Sequence, residues 1–233
     1  MIYELRLYYL GTGRLNDAHD RMRIHLPHLL AKHGIPVIGR WGGIAGPSLP
    51  LFVYLMEWES FEAREAGWGS FYVDPEWPKI RSQTNAGSEM VERYDLLFMR
   101  PNPAWAATPP QSLAKQPGAM HELVLQNVAI GQVGAVNEFL AKTYFPRLQA
   151  LGGSLIGACD ILSGTNLPRL AFFISWESEA ARRTAQAALL DDADMQRAIA
   201  DQRRMMGQPL LGHAEVYLLD PADYAPPVPF RRG

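Results

Sequence analysis

The chain has 233 residues, 48% of them hydrophobic and 20% charged, with a formal net charge of −2. That is ample apolar material for one large core or two small ones, and the near-neutral balance without a Lys/Arg run argues against nucleic acid or an anionic membrane surface as the main partner. Cys159, the single cysteine, excludes an internal disulfide, and the absence of a leader-like or membrane-spanning stretch makes a cytoplasmic location the expectation.

The first element is a strand over Ile2–Leu10, "IYELRLYYL". Tyr3, Leu5, Leu7 and Tyr9 point to one face, and Glu4, Arg6 and Tyr8 to the other. The turn "GTG" (11–13) leads into a helix over Arg14–His33 with Leu15, Ala18, Met22, Leu26 and Leu29 as its buried stripe. Gly34 is placed to cap its C-terminus. A strand follows near Val37–Trp41, then a Gly/Pro loop, then the strand "LFVYLMEW" (51–58). Ser60 is the expected N-cap of "FEAREAGW", and a last strand runs near Met90–Met99.

The same order then returns: a strand near His121–Val128, a helix over Val133–Leu151, strands near Leu155–Leu162 and Leu170–Trp176, a long helix from Ser178, and a strand near His213–Leu219. "YEL" at Tyr3 and "HEL" at His121 lie 118 residues apart, as do the two "WES" motifs at Trp58 and Trp176. Gly39 and Gly157, and Pro50 and Pro168, keep that offset, whereas "LPHLLAKHG" and "FPRLQALGG" match at 119, one insertion later. The expected organisation is a copy over 1–100, a Pro-rich linker over 101–118, a second copy over 119–221 and a tail over 222–233. Each copy reads β-α-β-β-α-β, a ferredoxin-like plait. Leu51–Met56 and "LAFFI" (170–174) are apolar on both faces, so each sheet needs cover on the side away from its helices. The fold class predicted is α+β: tandem ferredoxin-like repeats forming an α+β barrel within one chain.

The stretches "YELRLYYLGTGRL", "HLPHLLAKHGIPVIGRW", "FEAREAGW" and "DPEW" (74–77) resemble the NIPSNAP family, within the wider group of dimeric α+β-barrel proteins. The likeness covers residues 1 to 100 best, and the second copy more weakly through "HELVLQNVAIGQV", "FPRLQALGG" and "SWES". It implies the barrel. It implies little chemistry, although related barrel families include cofactor-free monooxygenases, haem-binding enzymes and small-molecule isomerases that hold ligands between helices and sheet. The second copy departs where Arg6 becomes Val124, Trp41 becomes Cys159 and "DPEW" becomes "DADM" (192–195), so a single site is expected in the first half.

Within that half the candidate catalytic residues are His25, Arg6 and Glu4. If buried, Glu4 and Arg6 must bond each other or near neighbours, because leaving one unpaired costs about 3–5 kcal/mol. Glu4 recurs as Glu122, which favours a role in the fold. Arg6 does not recur, so it is either half of a structural salt bridge or an anchor for a carboxylate or enolate. His25, on the stripe beside Pro27, is either a satisfied interior histidine or a proton-transfer group. Tyr8, His28, Trp41, Tyr54 and Trp68 are the expected ligand-binding residues. No metal and no cofactor is expected, since His25 and His28 lack a third ligand at helical spacing. The expected partner is a small aromatic or acyl anion, bound or transformed by proton-transfer, isomerase or cofactor-free oxygenase chemistry. A non-catalytic interaction module, with self-association into a homo-oligomer, is the alternative.

Overall fold

The computed structural model describes residues 1–108, 119–224 and 230–232. Residues 109–118, most of the expected linker, and residues 225–229 and 233 of the expected tail lie outside the described residues. Eight strands close into one antiparallel barrel in the order β1-β3-β2-β8-β5-β7-β6-β4. These are β1 (Ile2–Leu10), β2 (Val37–Ala45), β3 (Leu51–Trp58), β4 (Val91–Pro101), β5 (Met120–Val128), β6 (Ser154–Ile161), β7 (Arg169–Trp176) and β8 (Leu211–Pro221). The α+β barrel expected from the doubly apolar third strands is therefore the fold. No helix among the described residues is long and apolar enough to cross a membrane.

The chain divides into two compact units, one built on Met1–Met99 and the other on Arg100–Leu218. In the first, β1 pairs with β3 and β4, and β3 with β2, the strand order of a ferredoxin-like plait. In the second, β5 and β6 pair with β7 in the same way.

The first helix of each unit is not one α-helix. It runs as α1 (Leu15–Asp20), a π-helical turn Arg21–His25 and α2 (Pro27–Lys32). The second unit repeats this as α6 (Val133–Phe139), a π-helical turn Leu140–Tyr144 and α7 (Phe145–Ala150), with a short α5 (Pro103–Ala106) ahead of it. The helices expected to be continuous over Arg14–His33 and Val133–Leu151 are broken close to Pro27 and Pro146, and the π turn makes the break. In that turn Leu26 N donates to Arg21 O at 2.9 Å, five residues back. Pro27 then sits at the first position of α2, where a missing N–H costs nothing. Gly34, at φ +61°, supplies the left-handed residue after this helix.

The other helix layer is a pair in each unit: α3 (Phe61–Tyr72) with α4 (Glu76–Asn85), and α8 (Glu179–Asp191) with α9 (Ala193–Met206). Ser60 and Ser178 cap α3 and α8 by accepting from Ala63 N and Ala181 N. Asp74 accepts from Glu76 N at 2.9 Å, and Asp192 from Met195 N at 2.7 Å. "DPEW" and "DADM" therefore share the aspartate that starts the second helix of the pair, a likeness the differing letters around it conceal.

Strand register sorts the first sheet into two faces. Arg6 lies opposite Tyr54, and Leu7 opposite Val53, which is in turn opposite Trp41. Tyr8, Tyr54 and Phe52 thus share the face packed by Met22, Leu26 and Leu29, while Trp41, Leu5 and Leu7 share the other. On that other face a Cβ at Gly39 would collide with the ring of Trp41, and a Cβ at Gly157 with the ring of Phe230. Where Trp41 has become Cys159, Phe230 brings the ring back from far along the chain. It packs against Phe173 at 4.9 Å.

Gly39→Ala and Gly157→Ala should each lose about 1–3 kcal/mol in urea unfolding, because a fully enclosed ring must leave its slot. His121 on β5 is buried, and burial pushes it down to about 4 from 6.5. The folded chain refuses a proton that the unfolded chain takes, so this stability is whole above about pH 6.5 and lost as pH falls towards 4. The expected loss is about 3 kcal/mol, and His121→Gln should flatten that slope in melting curves across the same pH range.

Candidate functional site

The face holding Glu4 and Arg6 is dry. Both are buried, at 0% and 2% exposure. Glu4 Oε1 accepts from Arg6 Nε at 2.7 Å, and Glu4 Oε2 from Trp58 Nε1 at 3.0 Å and Trp68 Nε1 at 3.2 Å. Arg64 of α3 reaches the same carboxylate at 3.2 Å. In the second unit Glu122 accepts from Trp176 Nε1 at 2.8 Å, Arg182 at 2.5 Å and Gln186 at 3.2 Å. Trp58, Arg64 and Trp68 are 118 residues from Trp176, Arg182 and Gln186. Glu4, grouped with the catalytic candidates, is thereby the anchor that pins α3 to the sheet; its oxygens are already committed to nitrogen donors.

Arg6 adds what the second unit lacks. Its guanidinium lies 4.0 Å over the Trp68 ring, and its Nη1 donates to the hydroxyls of Tyr8 and Tyr54 at 3.3 Å each. Burial opposes its charge, but Tyr54, Tyr8 and Glu4 outweigh burial and hold the group above its ordinary value. Tyr54 donates to the Tyr8 oxygen at 2.7 Å. Burial, then the neighbouring Tyr8, raises the Tyr54 phenol well above its ordinary value. Tyr8 therefore accepts from both Tyr54 and Arg6, and its own hydrogen is left for something else.

That hydrogen borders a cavity of about 60 Å³ between helices and sheet, lined among others by Tyr8, Tyr54, Trp68, Tyr72, Trp77 and Arg21. Arg21 is the residue the sequence reading missed. It is 9% exposed and bonds only neutral groups, Thr84 Oγ1 at 2.7 Å and Asn85 Oδ1 at 2.6 Å. No carboxylate among the described residues pairs with it. Burial pushes it down to about 10. A buried cation without a counter-charge is costly, and an anion in the cavity would offset that cost.

Three expected residues fall outside this cluster. His25 is half-buried at the end of the π turn and does not line the cavity. One extra residue in a helical turn changes the direction of the following side chains by about 100°, and here Leu26 is the residue that packs inward while His25 lies at the edge. His28 is exposed and holds Glu76 at 2.6 Å. Trp41 is fully buried on the opposite face of the sheet, in register with Val53 and Leu7. Tyr8, Tyr54, Trp68 and Arg6 do come together. No group of three His, Cys, Asp or Glu among the described residues could hold a metal ion.

A larger cavity, of about 400 Å³, lies in the second unit, lined among others by Phe139, Tyr144, Gln186, Met195 and Ile199. A single site in the first half was the expectation. The difference is one of volume, since Gln186 and Met195 stand 118 residues from the indole rings of Trp68 and Trp77.

A family model described as NIPSNAP matches residues 3–104. Among solved structures, an anthrone oxidase-like protein superposes with a TM-score of 0.60 at 12% identity, covering 94% of this chain and 91% of that one. A candidate monooxygenase from Lactobacillus acidophilus NCFM superposes with a TM-score of 0.56 at 10% identity, covering 94% and 93%. An uncharacterised NIPSNAP domain protein from Burkholderia xenovorans matches 48% of this chain and 100% of its own at 20% identity, with a TM-score of 0.39. At their identities the likeness to the first two is one of fold. None of the curated proteins compared with the chain matches it.

Glu4→Ala strands two guanidinium groups and two indole N–H groups at once. It should cost about 3–5 kcal/mol in urea unfolding followed by tryptophan fluorescence. Glu4→Gln, which still accepts through its amide oxygen, should lose less.

Proposed function

We propose that this chain, of the NIPSNAP family through residues 3–104, binds a small organic carboxylate or enolate in the helix–sheet cavity of its first half and moves a proton on it. The observation that carries the proposal is Arg21: a buried guanidinium that lines the cavity and bonds only neutral partners. A carboxylate set against it would gain charge-assisted hydrogen bonds, worth about 1.5–3 kcal/mol each.

Across the cavity stands Tyr8, the proton donor. Its oxygen is polarised by Arg6 and takes the Tyr54 hydrogen, which leaves its own O–H directed at the ligand. A proton passed from Tyr8 to a bound enolate leaves a Tyr8 phenolate held by Arg6 and the Tyr54 hydroxyl, and that phenolate takes a proton back from the acidic C–H of the next substrate. Protonation of the enolate fits the second half of an isomerase, and the reverse transfer, from substrate C–H to the Tyr8 phenolate, fits the opening step of a cofactor-free oxygenase, which must generate and hold a substrate anion. The proton-transfer role therefore belongs to Tyr8, in place of His25.

The cavity as it stands admits a carboxylate headgroup. Room for an aromatic or acyl body comes from Tyr72, a side chain 53% exposed that stacks on Trp68 at 5.5 Å and 22°. Its ring lies where a ligand ring would lie. Swinging it out opens the slot to solvent and leaves Trp68 to receive the substrate.

Benzoate titrated into the protein by calorimetry should bind saturably, with benzamide much weaker. Arg21→Met should weaken benzoate at least tenfold while melting as the wild type does or slightly above it, since a buried uncompensated charge is removed. Benzoate affinity unchanged in Arg21→Met would remove the anion site.

A further inference from the structure

We infer that the second half holds a separate ligand site of opposite chemistry, the cavity of about 400 Å³, which takes an uncharged apolar molecule carrying one hydroxyl group. The inference stands on residues that the first cavity does not use.

The two cavities occupy matching places, and the charge has been removed from one of them. Arg6, Tyr54, Trp68, Tyr72 and Trp77 correspond, 118 residues on, to Val124, Phe172, Gln186, Leu190 and Met195. The π turn that begins with Arg21 in the first unit begins with Leu140 in the second, directly after Phe139. No charged side chain among the described residues lines the second cavity. An anion placed there would lose its hydration with no cation to replace it. The loss of three large rings also accounts for the space, which now falls in the range of about 300–1,000 Å³ typical of small-molecule sites.

Four polar side chains line it, of which Gln196 is exposed and donates to Leu190 O at 2.8 Å, and Tyr144 and Gln186 carry the groups that matter here. Tyr144 makes no hydrogen bond to a described residue, and burial, then Glu122, pushes its phenol up to about 12, so it is a neutral donor. Gln186 gives its amide nitrogen to Glu122 Oε1 at 3.2 Å. Glu122 is held among Trp176 Nε1 and Arg182, and an ionised carboxylate only accepts, so the nitrogen of Gln186 must face it. The amide oxygen is then turned away from Glu122, with no partner among the described residues. The other buried amide of the lining, Gln202, is occupied in accepting from Leu210 N at 2.9 Å. The cavity thus offers one donor and one acceptor amid apolar walls. A hydroxyl that accepts from Tyr144 and donates to Gln186 satisfies both, and an apolar body fills the remainder against Phe139, Met195 and Ile199.

The test compares 1-naphthol with 1-naphthoate by calorimetry on the full chain. In Arg21→Met, where the first cavity has lost its anion site, naphthol should bind one-to-one and at least tenfold tighter than naphthoate, with the same naphthol affinity as in wild type. Ile199→Trp, which fills the cavity, should weaken naphthol at least tenfold with circular dichroism unchanged. Tyr144→Phe and Gln186→Leu should each weaken it several-fold and carry the test should Ile199→Trp fold poorly. Equal binding of the two probes in Arg21→Met, no saturable naphthol binding, or undiminished affinity in the cavity variants would overturn the site. Loss of naphthol binding in Arg21→Met would assign the probe to the first cavity and equally overturn it.

Discussion

On the first strand of each unit, one residue after Tyr3 or His121, a glutamate points into the interior and is met by nitrogen donors from three directions. Glu4 collects two indoles and two guanidinium groups, and Glu122 an indole, a guanidinium and an amide. A naked carboxylate at that depth would be prohibitive. Its charge is tolerable only when the strand, the end of β3 or β7 and the helix that follows are all in place. The carboxylate therefore makes the position of α3 or α8 conditional on the sheet. The dry space between helix and sheet, where both cavities lie, exists because the helix is held there by its polar side as well as by its apolar one.

Around that shared anchor the two halves have diverged in chemistry more than in shape. The first half adds Arg6, a cation neutralised by Glu4, and Arg21, a cation that bonds only neutral groups among the described residues. It then crowds both with tyrosine and tryptophan, whose rings stack on guanidinium planes and shield them from water. The second half discards both cations and the large rings. One frame thus carries a tight, charged cavity and a wide, neutral one, and the difference rests on half a dozen side chains that contribute little to the fold itself.

Much of the architecture is legible in the letters, for physical reasons that differ by element. Alternation marks β1 because its two faces carry different residues, and unbroken apolarity marks β3 and β7 because both their faces are buried. Ser60 and Ser178 announce helix starts because their side chains do the capping. The site is less legible. A uniform helical period leaves both His25 and Leu26 near the inward stripe, and the π turn, whose extra residue is invisible in a single sequence, keeps Leu26 in and leaves His25 at the edge. Trp41 looked like part of the cluster until β2 showed a register shift between Val37 and Gly39, a feature that no pattern of letters reports. Arg21 was within reach. The comparison that singled out Arg6, a cation facing an apolar counterpart in the other half, selects Arg21 as well once Phe139 and Leu140 are aligned with it.

The paired slots at Gly39 and Gly157 set the two halves on different timetables. In the first, the ring that occupies the slot is Trp41, two residues after its glycine, so a short stretch of chain carries both lock and key. In the second the ring is Phe230, 73 residues downstream of Gly157. On the ribosome the earlier half can seat its indole as soon as β2 emerges. The later half must wait, its interior missing a phenyl group, until translation has passed β8 and delivered the residue that plugs it.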